Sequence, residues 1–484
     1  MNNVRQLLLG GACVFAVVAA GPANADSVEY VKICSLYGAG FYYVPGTDIC
    51  LKMGGYVRTQ YFANYGGTPN ASPYFDRQLN TRSVTDDSLS AFRFRSQVTF
   101  DTRQQTEYGT LRTYMSVGWT QDFINNTASQ LYANRAFIQF AGFTFGKATS
   151  FFDIYSTTGT SYFPLMASDT TETGWGVAAY TWQFGNGVSG TISAEEARRS
   201  RIVNGTVSAG IPFGPLAPNS YADFKYPDVV ASLRVDQAWG SAQIMAALHD
   251  ASASYYGTTT NTGHPADKLG WAVGFGGVVN TGFVSPGDKF SFQVAYAEGA
   301  IRYINFLQAD FGNAAYAGSG NSVGWGFVGD GIYDLGPGGQ QRGINLTKTW
   351  GINAAYNHRW NNKWQTSIYG GYNKTWFGGS FNEPGSAASQ VCLAQTWTTV
   401  AATQTATATA CNPDWSMAFI GSRTQWNLTP SFYIGADVIY TRLNTSLGGT
   451  AISTPGGARP SGLYVIEDQD TVSVTFRAQR DFLP

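Results

Sequence analysis

Residues 471–482 read T-V-S-V-T-F-R-A-Q-R-D-F and alternate between two chemistries. In an extended chain, Val472, Val474, Phe476, Ala478, Arg480 and Phe482 share one face, which is apolar apart from the arginine. Thr471, Ser473, Thr475, Arg477, Gln479 and Asp481 share the polar face. Such a strand must keep its apolar side from water. A soluble sandwich would cover it with a second sheet. A closed barrel in a bilayer would turn it toward hydrocarbon and leave the polar side on a water-filled lumen. The pattern recurs along a chain that begins with an export signal, and this favours the barrel.

That signal occupies residues 1–25. Arg5 supplies the positive start, residues 7–20 are apolar, and Ala23-Asn24-Ala25 is a cleavage signature that predicts a mature start at Asp26. Beyond it, no stretch offers the roughly 20 consecutive apolar residues of a spanning helix. Aromatics make up 15% of the chain and there are 57 glycines, a composition that favours strands over helices. The net charge of −1 gives no basic surface for nucleic acid.

The alternation marks sixteen strands, at 51–62, 91–103, 110–120, 132–140, 143–147, 177–184, 188–195, 229–236, 242–249, 269–280, 288–298, 347–359, 363–372, 415–426, 432–443 and 466–482. The clearest runs through Phe92, Phe94, Val98 and Phe100, with Arg93, Arg95, Gln97, Thr99, Asp101 and Arg103 between them. Short turns such as Gly185-Asn186-Gly187 alternate with long connections at 63–89, 121–131, 148–176, 196–228, 250–268, 299–346, 373–414 and 444–465. The predicted fold is therefore an all-β transmembrane antiparallel barrel of sixteen strands, with short periplasmic turns and long extracellular loops. Trp119, Tyr180, Trp182, Trp350, Trp360, Trp364, Trp415, Trp426 and Tyr440 fall near strand ends, as interfacial aromatic girdles would. Residues 26–50 form a leader ahead of the barrel at 51–482.

Four cysteines remain after the signal. Loop-closure entropy favours the local pairs Cys34–Cys50 and Cys392–Cys411, both placed outside the strands. No C-x-x-C is present and the three histidines lie far apart, so neither a metal nor another cofactor is expected. A nucleophile needs a base within reach, and the three histidines lie far apart with no acid-rich motif repeated beside each, so no enzyme activity is expected.

A sixteen-strand barrel leaves an aqueous bore, so function reduces to what narrows it. Arg58, Arg93, Arg95, Arg103, Arg112 and Arg135 take inward positions on the early strands, with Arg58, Arg95 and Arg135 near mid-height. Neighbouring strands lie about 4.8 Å apart, close enough for one basic wall. The connection 148–176 is rich in apolar side chains, which suits packing on the inner wall. Its acids Asp153, Asp169 and Glu172 would then face the arginines and set up a transverse field.

Residues 28–62 carry a further signal. E-Y-V-K-I-C at 29–34, Y-G-A-G-F at 37–41, P-G-T at 45–47, Cys50 and G-Y-V-R at 55–58 resemble the opening of the alphaproteobacterial, rhizobial-type general porins. F-R-A-Q-R at 476–480 with Phe482 resembles the end of that family. The resemblance implies an outer-membrane homotrimer that passes small hydrophilic solutes and ions passively among outer-membrane lipids and lipopolysaccharide. It implies that the third long loop enters the channel. It also makes Phe482 an assembly signal for the barrel insertion machinery, although Leu483 and Pro484 follow it here. The alternative is a structural barrel or adhesin whose loops 299–346 and 373–414 bind a ligand outside.

Overall fold

The computed structural model describes residues 32–63, 90–122, 129–163, 170, 173–206, 220–222, 225–304, 313–315, 322–394, 411–446, 448–453 and 462–482. The signal expected at 1–25 lies outside them.

Sixteen strands form the wall: β1 Cys50–Ala63, β2 Ser90–Thr106, β3 Gly109–Asp122, β4 Gln130–Phe140, β5 Phe143–Ala148, β6 Trp175–Gly185, β7 Val188–Glu195, β8 Asp228–Gln237, β9 Gly240–Asp250, β10 Leu269–Asn280, β11 Lys289–Glu298, β12 Lys348–Arg359, β13 Trp364–Trp376, β14 Trp415–Thr429, β15 Phe432–Asn444 and β16 Gln469–Asp481. Each is antiparallel to its neighbours. β16 pairs with both β15 and β1, and this closes the sheet and removes its edges. The register of that seam sets Arg58 opposite Gln479 and Tyr61 opposite Phe476. Tyr42–Tyr43 adds a two-residue pairing onto the start of β1.

The distribution of side chains inverts that of a soluble protein. Phe92, Phe94 and Phe476 are 50%, 47% and 52% exposed, whereas Ser473 and Thr475 are 0% exposed. No described protein layer shelters the outer face, so hydrocarbon must. Trp119, Trp182, Trp350, Trp360, Trp364 and Trp426 are also exposed. Trp415 is not: it is buried and its indole N–H donates to Phe327 O at 2.9 Å, so it belongs to the interior and not to a girdle.

Local chemistry fixes the tight turns. Asn186 and Gly187 both take positive φ, 51° and 74°, as a two-residue hairpin turn requires. The opposite end holds the long connections, which carry structure of their own. Ile202–Asn204 pairs parallel to Gly331–Gly336, which pairs with Gln340–Leu346. A helix, Ala387–Ala394, carries Cys392. The alternation gave no sign of this helix, because one apolar octet has no strand period.

Both disulfides are present, Cys34–Cys50 and Cys392–Cys411, with Cα–Cα distances of 5.9 and 6.1 Å. One expectation is corrected: Cys50 does not lie outside the strands. It is the first residue of β1, opposite Arg103 of β2. The bridge therefore clips the leader to the wall, and Phe41 of the leader lies under the Arg103 guanidinium at 4.8 Å.

Candidate functional site in the barrel lumen

The basic residues of β1–β4 come to one side of the bore. Arg58 and Arg95 are direct cross-strand partners. The Arg58 Nε–H donates to Gln479 at 2.7 Å and its guanidinium lies 4.4 Å from the Tyr56 ring centre. Arg95 lies 5.2 Å from the Tyr132 ring. Arg112 donates to Asp101 at 2.9 Å and to Gln139 at 3.0 Å, while Arg103 pairs with the same Asp101 at 3.0 Å. Arg93 is buried and packs 5.6 Å from the Phe62 ring, so it belongs to the wall more than to the water-filled space.

Arg135 reaches the lumen through a bulge. The β3–β4 register slips between Ser116 and Val117, so that Asn134 is an extra residue beside Arg135. Tyr132 lies inward before the bulge, and strict alternation from it would have turned Arg135 outward. The extra residue restores the inward phase. The guanidinium then donates to Thr149 Oγ1 and to Thr170 O, both at 3.1 Å.

Those two acceptors belong to the connection 148–176. Its described part crosses to the far side of the bore and hydrogen-bonds to inward side chains there. Gln243 of β9 donates to Phe151 O at 2.9 Å, and Gln293 of β11 accepts from the Ile154 and Tyr155 amides at 3.0 and 3.2 Å. Asp437 of β15 accepts from the Ser161 hydroxyl at 3.0 Å and the Tyr162 amide at 2.5 Å. Ser367 of β13 donates to Thr160 O. Arg477 of β16 lies 4.0 Å from the Tyr162 ring, and the Tyr162 hydroxyl donates to Gln425 of β14 at 3.1 Å. Burial pushes the pKa of that hydroxyl up. Gly435 is required for so close an approach, because a Cβ there would overlap the Tyr162 hydroxyl.

The strands bearing the arginines keep open space in front of them. It amounts to about 640 Å³ and is lined by Tyr56, Arg58, Gln97, Arg112, Tyr114 and Arg135 on the wall and by Ala148, Thr149 and Phe151 on the crossing segment.

The three loop acids named from sequence fare differently. Asp169 and Glu172 lie outside the described residues. Asp153 is described, and its carboxylate pairs with Arg198 at 2.9 Å, both side chains being 0% exposed. It also accepts from the Thr170 amide and hydroxyl at 3.1 and 2.8 Å. Arg198 follows β7 in the next long connection, so no spacing on Asp153's own segment points to it. Beside it, His249 of β9 is held between Asp228 at 2.7 Å and Tyr221 at 2.9 Å, and Tyr221 donates to Asp330 at 2.7 Å. This buried knot joins the connections 196–228 and 299–346 to the wall. At the chain's other end, the Phe482 amide donates to Gly55 O at 3.0 Å, so the terminal aromatic is seated on β1.

A closed barrel with an apolar exterior, a polar interior and a segment across its bore is the architecture of an outer-membrane barrel protein. The family model of the Porin subfamily matches residues 16–474, so the chain belongs to that family and to the bacterial outer membrane. It is 32% identical over 264 residues to porin Omp2b of Brucella melitensis, a match covering 49% of this chain and 64% of that protein. The match to porin Omp2b of Brucella abortus has the same extent. The matched region is thus a little under two thirds of those relatives' length. Among solved structures, the outer membrane channel DcaP of Acinetobacter baumannii is similar in fold, with a TM-score of 0.54 at 12% identity over 91% of this chain and 99% of that one.

Proposed function

We propose that the chain forms a water-filled passage through which small hydrophilic solutes and ions diffuse passively, narrowed where the connection 148–176 faces the arginines of β1–β4. The observation that carries this reading is the space of about 640 Å³ between Arg58, Arg112 and Arg135 on one side and Thr149 and Phe151 on the other. Phe151 fixes the side of the segment nearest the arginines, and Asp169 and Glu172 extend the same connection. The transverse field argued from sequence therefore rests on those two acids and not on Asp153, whose charge is taken up by Arg198. No chemical conversion is assigned to the passage. The reading extends to a homotrimer amid outer-membrane lipids and lipopolysaccharide, and to Phe482 as the residue read by the insertion machinery. Purified protein added to planar bilayers should give stepwise conductance increases. An electrically silent barrel would instead favour the adhesin reading.

A further inference from the structure

The periplasmic end of the barrel carries a second cavity, of about 660 Å³, built from three consecutive short turns. Ser285 and Pro286 come from the turn after β10, Arg359 to Lys363 from the end of β12 and the turn that follows it, and Asn427 to Pro430 from the end of β14 and the turn that follows it. Hydrogen bonds lock the turns together. Ser285 donates to Arg359 O at 2.9 Å, and the Asn427 amide donates to Lys363 O at 2.7 Å. Asp288 accepts from Tyr356 at 2.6 Å, from His358 at 2.7 Å and from the Arg359 amide at 2.8 Å. The cavity is therefore a fixed shape and not a gap between loose loops.

Its side of the wall is also fixed. Arg359 and Gln365 are cross-strand partners, two residues along from the pair Asn357 and Ser367, and Ser367 is buried on the lumen side. The cavity thus opens toward water at the channel mouth and not toward lipid. Among its described lining residues are two cations, Arg359 and Lys363, and no carboxylate; the Asp288 charge lies behind the Arg359 backbone, buried and hydrogen-bonded. The amides of Asn362, Gln365 and Asn427 supply polar neighbours. A planar guanidinium with an ammonium four residues along the same turn matches carboxylates, the guanidinium bidentately.

We propose that these three turns form a carboxylate-binding cradle at the periplasmic mouth, with Arg359 and Lys363 as its cationic ligands. The proposal rests on the channel reading, which sets this end in the periplasm. A carboxylate there has two sources: a small polycarboxylate leaving the channel, or the carboxylates of the cell-wall polymer beneath the membrane.

The test uses the full chain and the variant Arg359→Gln/Lys363→Gln, with Lys363→Glu as a second variant at an exposed turn. In planar bilayers of fixed orientation, citrate added on the periplasmic side should reduce wild-type current at lower concentration than citrate added outside. The double variant should raise the half-blocking concentration by about tenfold on that side only, and Lys363→Glu should raise it as well. In a second arm, wild-type protein should co-sediment with purified cell-wall sacculi but not with sacculi whose carboxylates have been amidated, and the variants should lose that retention. A loss confined to the citrate arm supports the proposal with a diffusing solute as ligand; a loss confined to the sacculus arm supports it with the wall polymer. Variants that open normal conductance steps yet match wild type in both arms overturn it while leaving the channel reading intact. A wild-type protein that opens no steps would instead sink the channel reading.

Discussion

Neutralising Arg58 gives the sharpest test of the basic wall. Treating the 640 Å³ space as a sphere puts an ion at its centre about 5 Å from the lining. At that distance a unit charge in water contributes about 0.8 kcal/mol, and screening at about 0.1 M salt reduces this to about 0.5 kcal/mol. The contribution favours an anion and opposes a cation by the same amount. Removing it changes their relative free energy by about 1 kcal/mol, which is about a fivefold change in the permeability ratio. Arg58→Gln should therefore raise the cation-to-anion permeability ratio about fivefold, while Arg58→Lys, which keeps the charge, should leave it near wild type. The assay is the reversal potential across a bilayer in a potassium chloride gradient, repeated at high salt, where the difference should shrink. A reversal potential for Arg58→Gln equal to that of wild type at low salt, from channels of normal conductance, would refute the argument. It would place the passing ions well beyond the reach of this wall.

Two other expectations follow from the segment that crosses the bore. Arg198→Met leaves the Asp153 carboxylate buried without its partner and should cost about 3–5 kcal/mol, whereas Arg198→Met/Asp153→Leu should recover much of that. The midpoint of the heat-induced mobility shift on a gel reads this difference, and equal midpoints for single and double variants would contradict it. Gly435→Ala should increase open-channel current noise, because its Cβ would displace the Tyr162 hydroxyl from the wall; recordings as quiet as wild type would show that the anchor does not hold the segment.

Much of the wall was legible in the amino-acid order because period-two alternation is a local property. Phe92, Phe94, Arg93 and Arg95 declare their faces with no knowledge of any neighbour. The tight turn at Asn186-Gly187 is equally local. Contacts between distant segments were not legible. Asp153 reads as one of three equivalent acids on a loop until Arg198, from another loop, is beside it. Gln293 and Asp437 read as ordinary polar residues of inward phase, and their role as seats for the Ile154 and Tyr162 amides depends on where the crossing segment runs. The bulge at Asn134 and Arg135 is intermediate. Ala136 and Ile138 set the inward phase for Arg135 from one side while Leu131 and Ala133 set the opposite phase from the other, and that conflict is itself the sequence mark of an inserted residue. Cys50 marks a boundary effect, since its place in β1 depends on the leader folding back to pair through Tyr43.

The crossing segment touches staves that are not neighbours: β4 on one side, and β9, β11 and β13 to β16 on the other. Ladder bonds between adjacent staves fix the circumference of a tube but do little to keep its cross-section round. A tie across the diameter does so, as a spoke keeps a rim from going oval under lateral load. Cutting the segment away should therefore yield a tube that squashes under the sideways pressure of the surrounding lipid, and not simply a wider hole.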